Sequence, residues 1–281
     1  MGIFDWIKFS KKVDFEHTED IGDITHFNGK PFTGIGFRTN ENGVIITKAK
    51  LVAGLKQGIT KNYYDNGMLK EEIHYINDEV NGLVKLFFEN GDLEQEFSIK
   101  NNKKNGVCRM YENGQLRKEV NYIDDQTNGI AKTYYENGQL QYEFNLKDGE
   151  RDGAFKLYYE DGVLKQEGFE KNGERDGIGK LYYENGQLEQ EINYKNGKEN
   201  GLVKLYYENG VLQEEKNYKN GKTNGLVKLY YENGQLKQEV NYKNDERDGL
   251  TKLYYENGQL EQEVNWTVSY THLRAHETLR Y

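Results

Sequence analysis

Between Leu226 and Tyr242 apolar and polar positions alternate: Val227, Leu229 and Tyr231 are separated by Lys228 and Tyr230, and beyond Asn233-Gly234 the alternation resumes through Leu236, Val240 and Tyr242. A period of two marks a half-buried strand. Asn-Gly between two such runs is the strongest short hairpin signal, because a two-residue type I′ turn needs positive φ at both central residues. The segment is therefore predicted to be a β-hairpin turning at Asn233-Gly234. Counting outward from that turn, Tyr231 opposes Leu236, Leu229 opposes Gln238, Lys228 opposes Glu239 and Val227 opposes Val240. Cross-strand partners share a face. One face then carries Val227, Leu229, Tyr231, Leu236, Val240 and Tyr242, and the other Leu226, Lys228, Tyr230, Lys237, Glu239 and Asn241.

The same text recurs, slightly edited, at 177–194, 201–218 and 249–266. One glycine series runs from Gly43 to Gly258 and a second from Gly34 to Gly249, both in steps of 24 residues apart from one step of 23. Such self-similarity is the signature of a repeat architecture. Residues 34–266 are read as ten tandem hairpins, giving an all-β fold: an elongated, single-layer, twisted antiparallel array. At roughly 4.8 Å between strands, ten hairpins would extend about 95 Å, and their twist would curl the apolar face inward. Stability is expected to be a sum of repeat and neighbour terms without one large core. The pairs Lys180–Glu191, Lys204–Glu215 and Lys252–Glu263 recur in step with Lys228–Glu239. A one-residue slip would destroy all of them, so they are read as register markers.

Projecting the period backwards places Ile21 and Phe27 on repeat positions and aligns Asn28-Gly29-Lys30 with Asn220-Gly221-Lys222, so 21–33 reads as a half repeat. Residues 1–20 are expected to cap the first hairpin, with Ile3, Phe4, Trp6, Ile7 and Phe9 on a short amphipathic helical turn. Asp5 and Lys8 interrupt any signal-peptide core, and Trp6 stands where a myristoylation site wants Ser or Thr, so a cytoplasmic location is expected. From Thr267 the repeat text stops, and residues 267–281 resemble translated sequencing-adapter read-through, expected to be foreign to the protein. Between Gly106 and its turn the chain is one residue short, which calls for a bulge or a shorter preceding loop.

Composition narrows the function. Of 281 residues 30% are charged and the net charge is −9, which speaks against a nucleic-acid surface. No apolar run approaches the roughly 20 residues of a membrane-spanning helix. A single cysteine, Cys108, leaves no disulfide framework, while 23 tyrosines and 31 glycines point to regular construction. Histidines stand only at 17, 26, 74, 272 and 276, so the repeats beyond residue 75 hold no histidine-based catalytic or zinc site. His272 and His276 have a helical metal-ligand spacing but fall in the tail. Ser10, Ser98 and Ser269 lack a nucleophile-elbow context. Gly221-Lys222-Thr223 lacks the leading glycine of a phosphate loop, since Lys216 stands there. The turns around Asp148, Asn172 and Asn244 begin like calcium loops, yet Tyr159, Tyr183 or Tyr255 occupies the twelfth position, where a bidentate glutamate belongs. No enzyme, cofactor or metal is expected.

The tyrosines are different. Tyr134, Tyr158, Tyr182, Tyr206, Tyr230 and Tyr254 recur on the mixed face two strands apart, roughly every 10 Å. Tyrosine offers rigid amphipathic contact area, so this ladder is read either as a partner-binding strip or as rings that cover their own strands and lysine stems.

The unit Gly-x-x-Lys-Leu-Tyr-Tyr-Glu-Asn-Gly-Gln-Leu, followed by Tyr-Lys-Asn-Gly-Lys at 194–198 and 218–222, resembles the MORN repeat variant common in bacterial proteins, and Gly29-Lys-Pro-Phe-Thr-Gly-Ile-Gly36 resembles the usual opening of such arrays. The resemblance covers about 21–266. It implies an antiparallel hairpin array that binds proteins or membranes, and the bacterial members are often called antitoxin-like. A non-enzymatic scaffold for a protein partner is the first expectation. An antitoxin masking a toxin is the second, and a lipid-surface binder the third, disfavoured by the acidic balance.

Overall fold

A computed structural model of the chain describes residues 11–266, in two compact units that divide after Gly138. The expected helical turn at residues 3–9 and the tail from 267 lie outside the described residues. Each unit is an antiparallel β-meander in which neighbouring strands in the chain pair with one another. The second unit runs from Leu140–Lys147 and Glu150–Tyr158 to Glu246–Tyr254 and Leu260–Trp266. The all-β hairpin array expected from the period is the fold observed.

Away from the turns the register matches the count: Leu226 opposes Asn241, Val227 opposes Val240, Lys228 opposes Glu239 and Leu229 opposes Gln238. Near the turn it shifts by one, and Tyr230, not Tyr231, opposes Leu236, because Lys237 is an extra bulged residue. The Asn233-Gly234 turn is correspondingly not type I′. The Gly234 amide donates to Tyr231 O and the Tyr231 amide donates to Gln235 O, so Glu232, Asn233 and Gly234 form a three-residue loop. Only Gly234 takes positive φ, at 84°, as a type I turn followed by a left-handed bulge residue requires. The two-residue I′ turns sit at the other end of each hairpin. Asn220-Gly221 has φ of 54° and 79°, and Asn244-Asp245 has 52° and 72°, each closed by flanking pairs such as Lys243 with Glu246.

The second glycine series has its own reason. Val240 pairs with Thr251 but Tyr242 with Arg247, so Asp248, Gly249 and Leu250 together face Asn241 alone, and Gly249 bends the strand with φ of 86°. The residue facing this bulge often closes it: Asn193 Nδ2 donates to Leu202 O at 2.6 Å and Asn145 Nδ2 donates to Ala154 O at 2.9 Å.

The shortened hairpin resolves in neither of the two expected ways. Tyr111 opposes Leu116, as Tyr230 opposes Leu236, and Glu112 opposes Gln115. Between them Asn113 and Gly114, with φ of 52° and 74°, form a true two-residue loop. The missing residue is taken out of the turn, and the strands keep their facing.

Burial is confined to one face. Val203, Val227 and Val240 are only 1%, 7% and 3% exposed, and Cys108, Val120 and Ala131 hold the same row in the first unit. In a single layer such residues are covered by long neighbours on their own face. Where a bulky Phe155 enters the row, Gly168 opposes it, and a Cβ on Gly168 would stand 2.9 Å from the ring. Lys216 takes a valine's place in the row opposite Val203, with its ammonium 3.4 Å from the Glu214 carboxylate.

The start of the chain adds elements that the period does not contain. Lys12–Asp14 pairs in parallel with Gly34–Thr39, closing that sheet edge. Residues 19–31 form a separate three-stranded sheet, whose Ile24–Phe27 and Lys30–Pro31 turn at Asn28-Gly29. Val13, Phe32, Ala49 and Leu51 make a small core there, with Phe15 and Phe27 against it. Gly34 and Gly36 are required for space, since a Cβ would lie 2.5 Å from the Phe32 ring or 2.3 Å from the Phe15 ring.

Candidate interaction face

At mid-strand the face opposite the buried row carries a ladder of charges that alternates in sign from Lys61 onward in the first unit, where Lys48 precedes it opposite Lys61, and throughout the second. In the first unit the register runs Lys61, Glu72, Lys85, Glu96, Arg109, Glu119 and Lys132 across successive strands. In the second it runs without a break from Glu143 and Lys156 to Lys252 and Glu263. The pairs read within one hairpin therefore continue between hairpins. Arg109 shows the double engagement most fully, with Nη1 3.3 Å from Glu96 Oε1 and Nε 2.7 Å from Glu119 Oε1. Exposed pairs of this kind contribute about 0–1 kcal/mol each; their larger effect is to penalise any slipped register.

All six candidate tyrosines are half-buried on this face. The hydroxyls reach back to the glutamate fifteen residues earlier: Tyr134 donates to Glu119 Oε2 at 2.7 Å, Tyr182 to Glu167 Oε1 at 2.8 Å, Tyr230 to Glu215 Oε1 at 3.1 Å and Tyr254 to Glu239 Oε2 at 3.5 Å. Tyr158 and Tyr206 occupy the same place in their repeats. Partial burial, and then the neighbouring carboxylates, push the Tyr182 and Tyr230 phenols up to about 12. At neutral pH they are hydrogen-bond donors with a rigid ring, not bases. Burial alone would raise the Glu119 carboxyl, but the bonds from Tyr134 and Arg109 outweigh it and hold it below its ordinary value.

The second tyrosine of each doublet does something that alternation does not reveal. Tyr159, Tyr183, Tyr207 and Tyr231 donate to the carbonyls of Tyr182, Tyr206, Tyr230 and Tyr254 at 2.7–2.8 Å. The doublets Tyr182-Tyr183 and Tyr230-Tyr231 thus tie their repeats backwards through one hydroxyl and forwards through the other. The turn asparagines add a lighter tie, as Asn233 Nδ2 donates to Glu256 O at 3.2 Å. The constant doublet at a constant period was the available signal for this staple.

Among the described residues no group of three or more His, Cys, Asp or Glu side chains is placed to hold a metal ion. The Asp148-Gly149 and Asn172-Gly173 segments, which only begin like calcium loops, are I′ turns. Among the described residues no helix is long and apolar enough to cross a membrane. The three-residue loops, the I′ turns and the tyrosine staples all recur with the 24-residue unit, so the unit itself classifies the chain. The MORN repeat variant profile matches it nine times, at 56–77, 80–101, 107–124, 127–148, 151–172, 175–196, 199–220, 223–244 and 247–267. The chain belongs to the MORN repeat variant family. The MORN units so defined run from one I′ turn to the next, and each holds the two strands of one three-residue-loop hairpin, as 223–244 holds Gly225–Tyr230 and Leu236–Lys243. No curated protein matches the chain. Solved structures that align with it include the crystal structures of TcdB2-TccC3 and of TcdB2-TccC3-Cdc42, each at 11% identity and a TM-score of 0.21, covering 80% and 84% of this chain. The MORN chain spans only 16% and 15% of the length of those two chains.

Proposed function

We propose that this MORN array is a non-enzymatic scaffold that holds a protein partner on the face bearing Tyr134, Tyr158, Tyr182, Tyr206, Tyr230 and Tyr254. The observation that carries the reading is the hydroxyl–carboxylate bond that orders rings of this row. The bonded rings of Tyr134, Tyr182, Tyr230 and Tyr254 are held in place before a partner arrives, so little of their side-chain entropy is lost on contact, and amphipathic rings are the side chains that protein interfaces favour. In unit 2 the row borders a shallow cleft of about 280 Å³ lined by Phe169, Ile178, Lys156, Glu167 and Lys180, a mixture of apolar and charged groups suited to a protein surface. A balanced charge ladder and a net charge of −9 favour a protein over an anionic membrane, which wants clustered cations.

The test is affinity capture from the native host with the wild-type chain and with Tyr182→Ser/Tyr206→Ser/Tyr230→Ser. A partner retained by the wild type and released by the folded variant supports the scaffold. Equal capture by both moves the binding site elsewhere, and reproducible turnover of a substrate by the purified chain overturns the non-enzymatic reading. An antitoxin is one specific form of the scaffold. It requires that co-expression rescue growth from a toxic partner and that the triple variant lose the rescue.

A further inference from the structure

The first unit carries, beside its charge ladder, a second row in which large aliphatic residues stand in water. Ile59, Leu83, Val107 and Ile130 are 53%, 45%, 42% and 51% exposed. They occur on alternate strands. Each shares its strand and face with a cation two residues on, Lys61, Lys85, Arg109 or Lys132. The strands between them present His74, Ser98 and Asn121 opposite Ile59, Leu83 and Val107, each two residues beyond a glutamate. The face is therefore a two-strand pattern, aliphatic with cation and then polar with anion, repeating about every 9.6 Å. Exposed apolar residues in series mark an interaction surface.

We propose that this face of the first unit pairs with the same face of a second copy of the chain. Consider a two-fold axis lying between two facing sheets, parallel to the strands and passing midway between neighbouring strands. It sets every cation-bearing strand against an anion-bearing strand of the other copy and preserves position along the strand. Both rows are satisfied at once. Charges meet their opposites, and each aliphatic side chain enters the space over a polar residue, between two aliphatic residues of the partner. Such self-complementarity is what an isologous contact demands. A uniformly charged partner would be repelled by every other strand, whereas a second copy has the matching period by construction. Two of the three polar residues that would be covered already have partners, which keeps their burial inexpensive: Asn121 Nδ2 donates to Asn128 O at 2.8 Å, and His74 Nδ1 lies 2.6 Å from Asn81 O. Six strand spacings by six residues of strand cover about 29 Å by 20 Å, on the order of 600 Å² per copy and 1,200 Å² in all, the lower limit of a stable specific interface.

Sedimentation velocity of the full chain, from low micromolar to hundreds of micromolar, is expected to show a monomer–dimer equilibrium. Leu83→Thr/Val107→Thr, which places strand-favouring β-branched side chains at both exposed positions, is expected to weaken the dimer on the order of a hundredfold, with an unchanged far-ultraviolet spectrum. Ser98→Lys keeps every aliphatic residue, crowds the space into which the partner's ridge fits, and decides the matter if the double variant does not fold. A monomer at every concentration, or a dimer indifferent to a folded variant, overturns the inference. Neither result touches the scaffold reading, whose own test runs through Tyr182, Tyr206 and Tyr230.

Discussion

The hairpins 106–122 and 225–242 differ by one residue and close differently. In the longer, Tyr231 precedes a three-residue loop and donates to Tyr254 O. In the shorter, Glu112 and Gln115 pair directly across Asn113-Gly114. Beyond the turn they are superimposable in register: Arg109 opposes Glu119 as Lys228 opposes Glu239, and Cys108 opposes Val120 as Val227 opposes Val240. A slip of one residue would have turned a buried row outward and broken the charge ladder over several strands, costs of several kcal/mol. Recasting one loop costs far less, because Asn and Gly both tolerate positive φ. The register is held by the strands, and the turn conforms to it.

If the same buried row supports both hairpins, Val120→Asp and Val240→Asp should be comparably damaging, each costing on the order of 4 kcal/mol or more through an unpaired buried charge. Urea unfolding followed by circular dichroism measures this, and a large inequality would show that the hairpins do not share one support. Deleting Tyr231 should convert the long loop into the short one, lose one forward staple and cost about 1–2 kcal/mol, with the Lys228–Glu239 register intact in cross-strand amide NOEs. The reverse change, a tyrosine inserted between Tyr111 and Glu112, should restore the loop and staple and raise stability by about 1 kcal/mol. A further substitution bears on the row itself. The Thr251 hydroxyl is buried without a hydrogen-bond partner, so Thr251→Val should stabilise by up to about 1 kcal/mol in a thermal melt.

The smallest effects are in pH dependence, with opposite signs in the two regions. Glu119, beside the short turn, titrates below its ordinary range. Its contribution is complete above that range and is lost as pH falls through the lowered value, which a carboxyl-detected NMR titration would follow. Tyr230, in the long hairpin, is raised to about 12. Its contribution is complete below about pH 10 and is lost as pH climbs from there towards 12. Absorbance at tyrosinate wavelengths should show a late-ionising class that shrinks in Tyr230→Phe.

Much of this was legible residue by residue. The spacing of Gly34 to Gly249, the alternation around Val227 and the recurrence of Lys228 with Glu239 specified a hairpin array, its buried face and most of its register, because period-two patterning and cross-strand charge pairing are local rules. The Asn233-Gly234 turn was misassigned because Asn-Gly suits both a two-residue I′ loop and the end of a three-residue loop. The residue count between paired positions decides, and that count includes the Lys237 bulge, for which the one-dimensional pattern has no mark. The tyrosine row was placed correctly on its face, but its hydroxyl partners were not foreseen, because Glu215 and Tyr230 meet only once two hairpins lie side by side.

By itself, then, the amino-acid order determined the class of structure, the unit and the faces, all of which depend on residues close along the chain. Tertiary pairing decided where extra residues bulge, which turn takes which form, how each Tyr-Tyr doublet joins its neighbours, and why Gly34 and Gly36 must lack a side chain beneath Phe32 and Phe15. Those outcomes depend on which backbone lies alongside which, and that proximity comes into being only when the strands have paired.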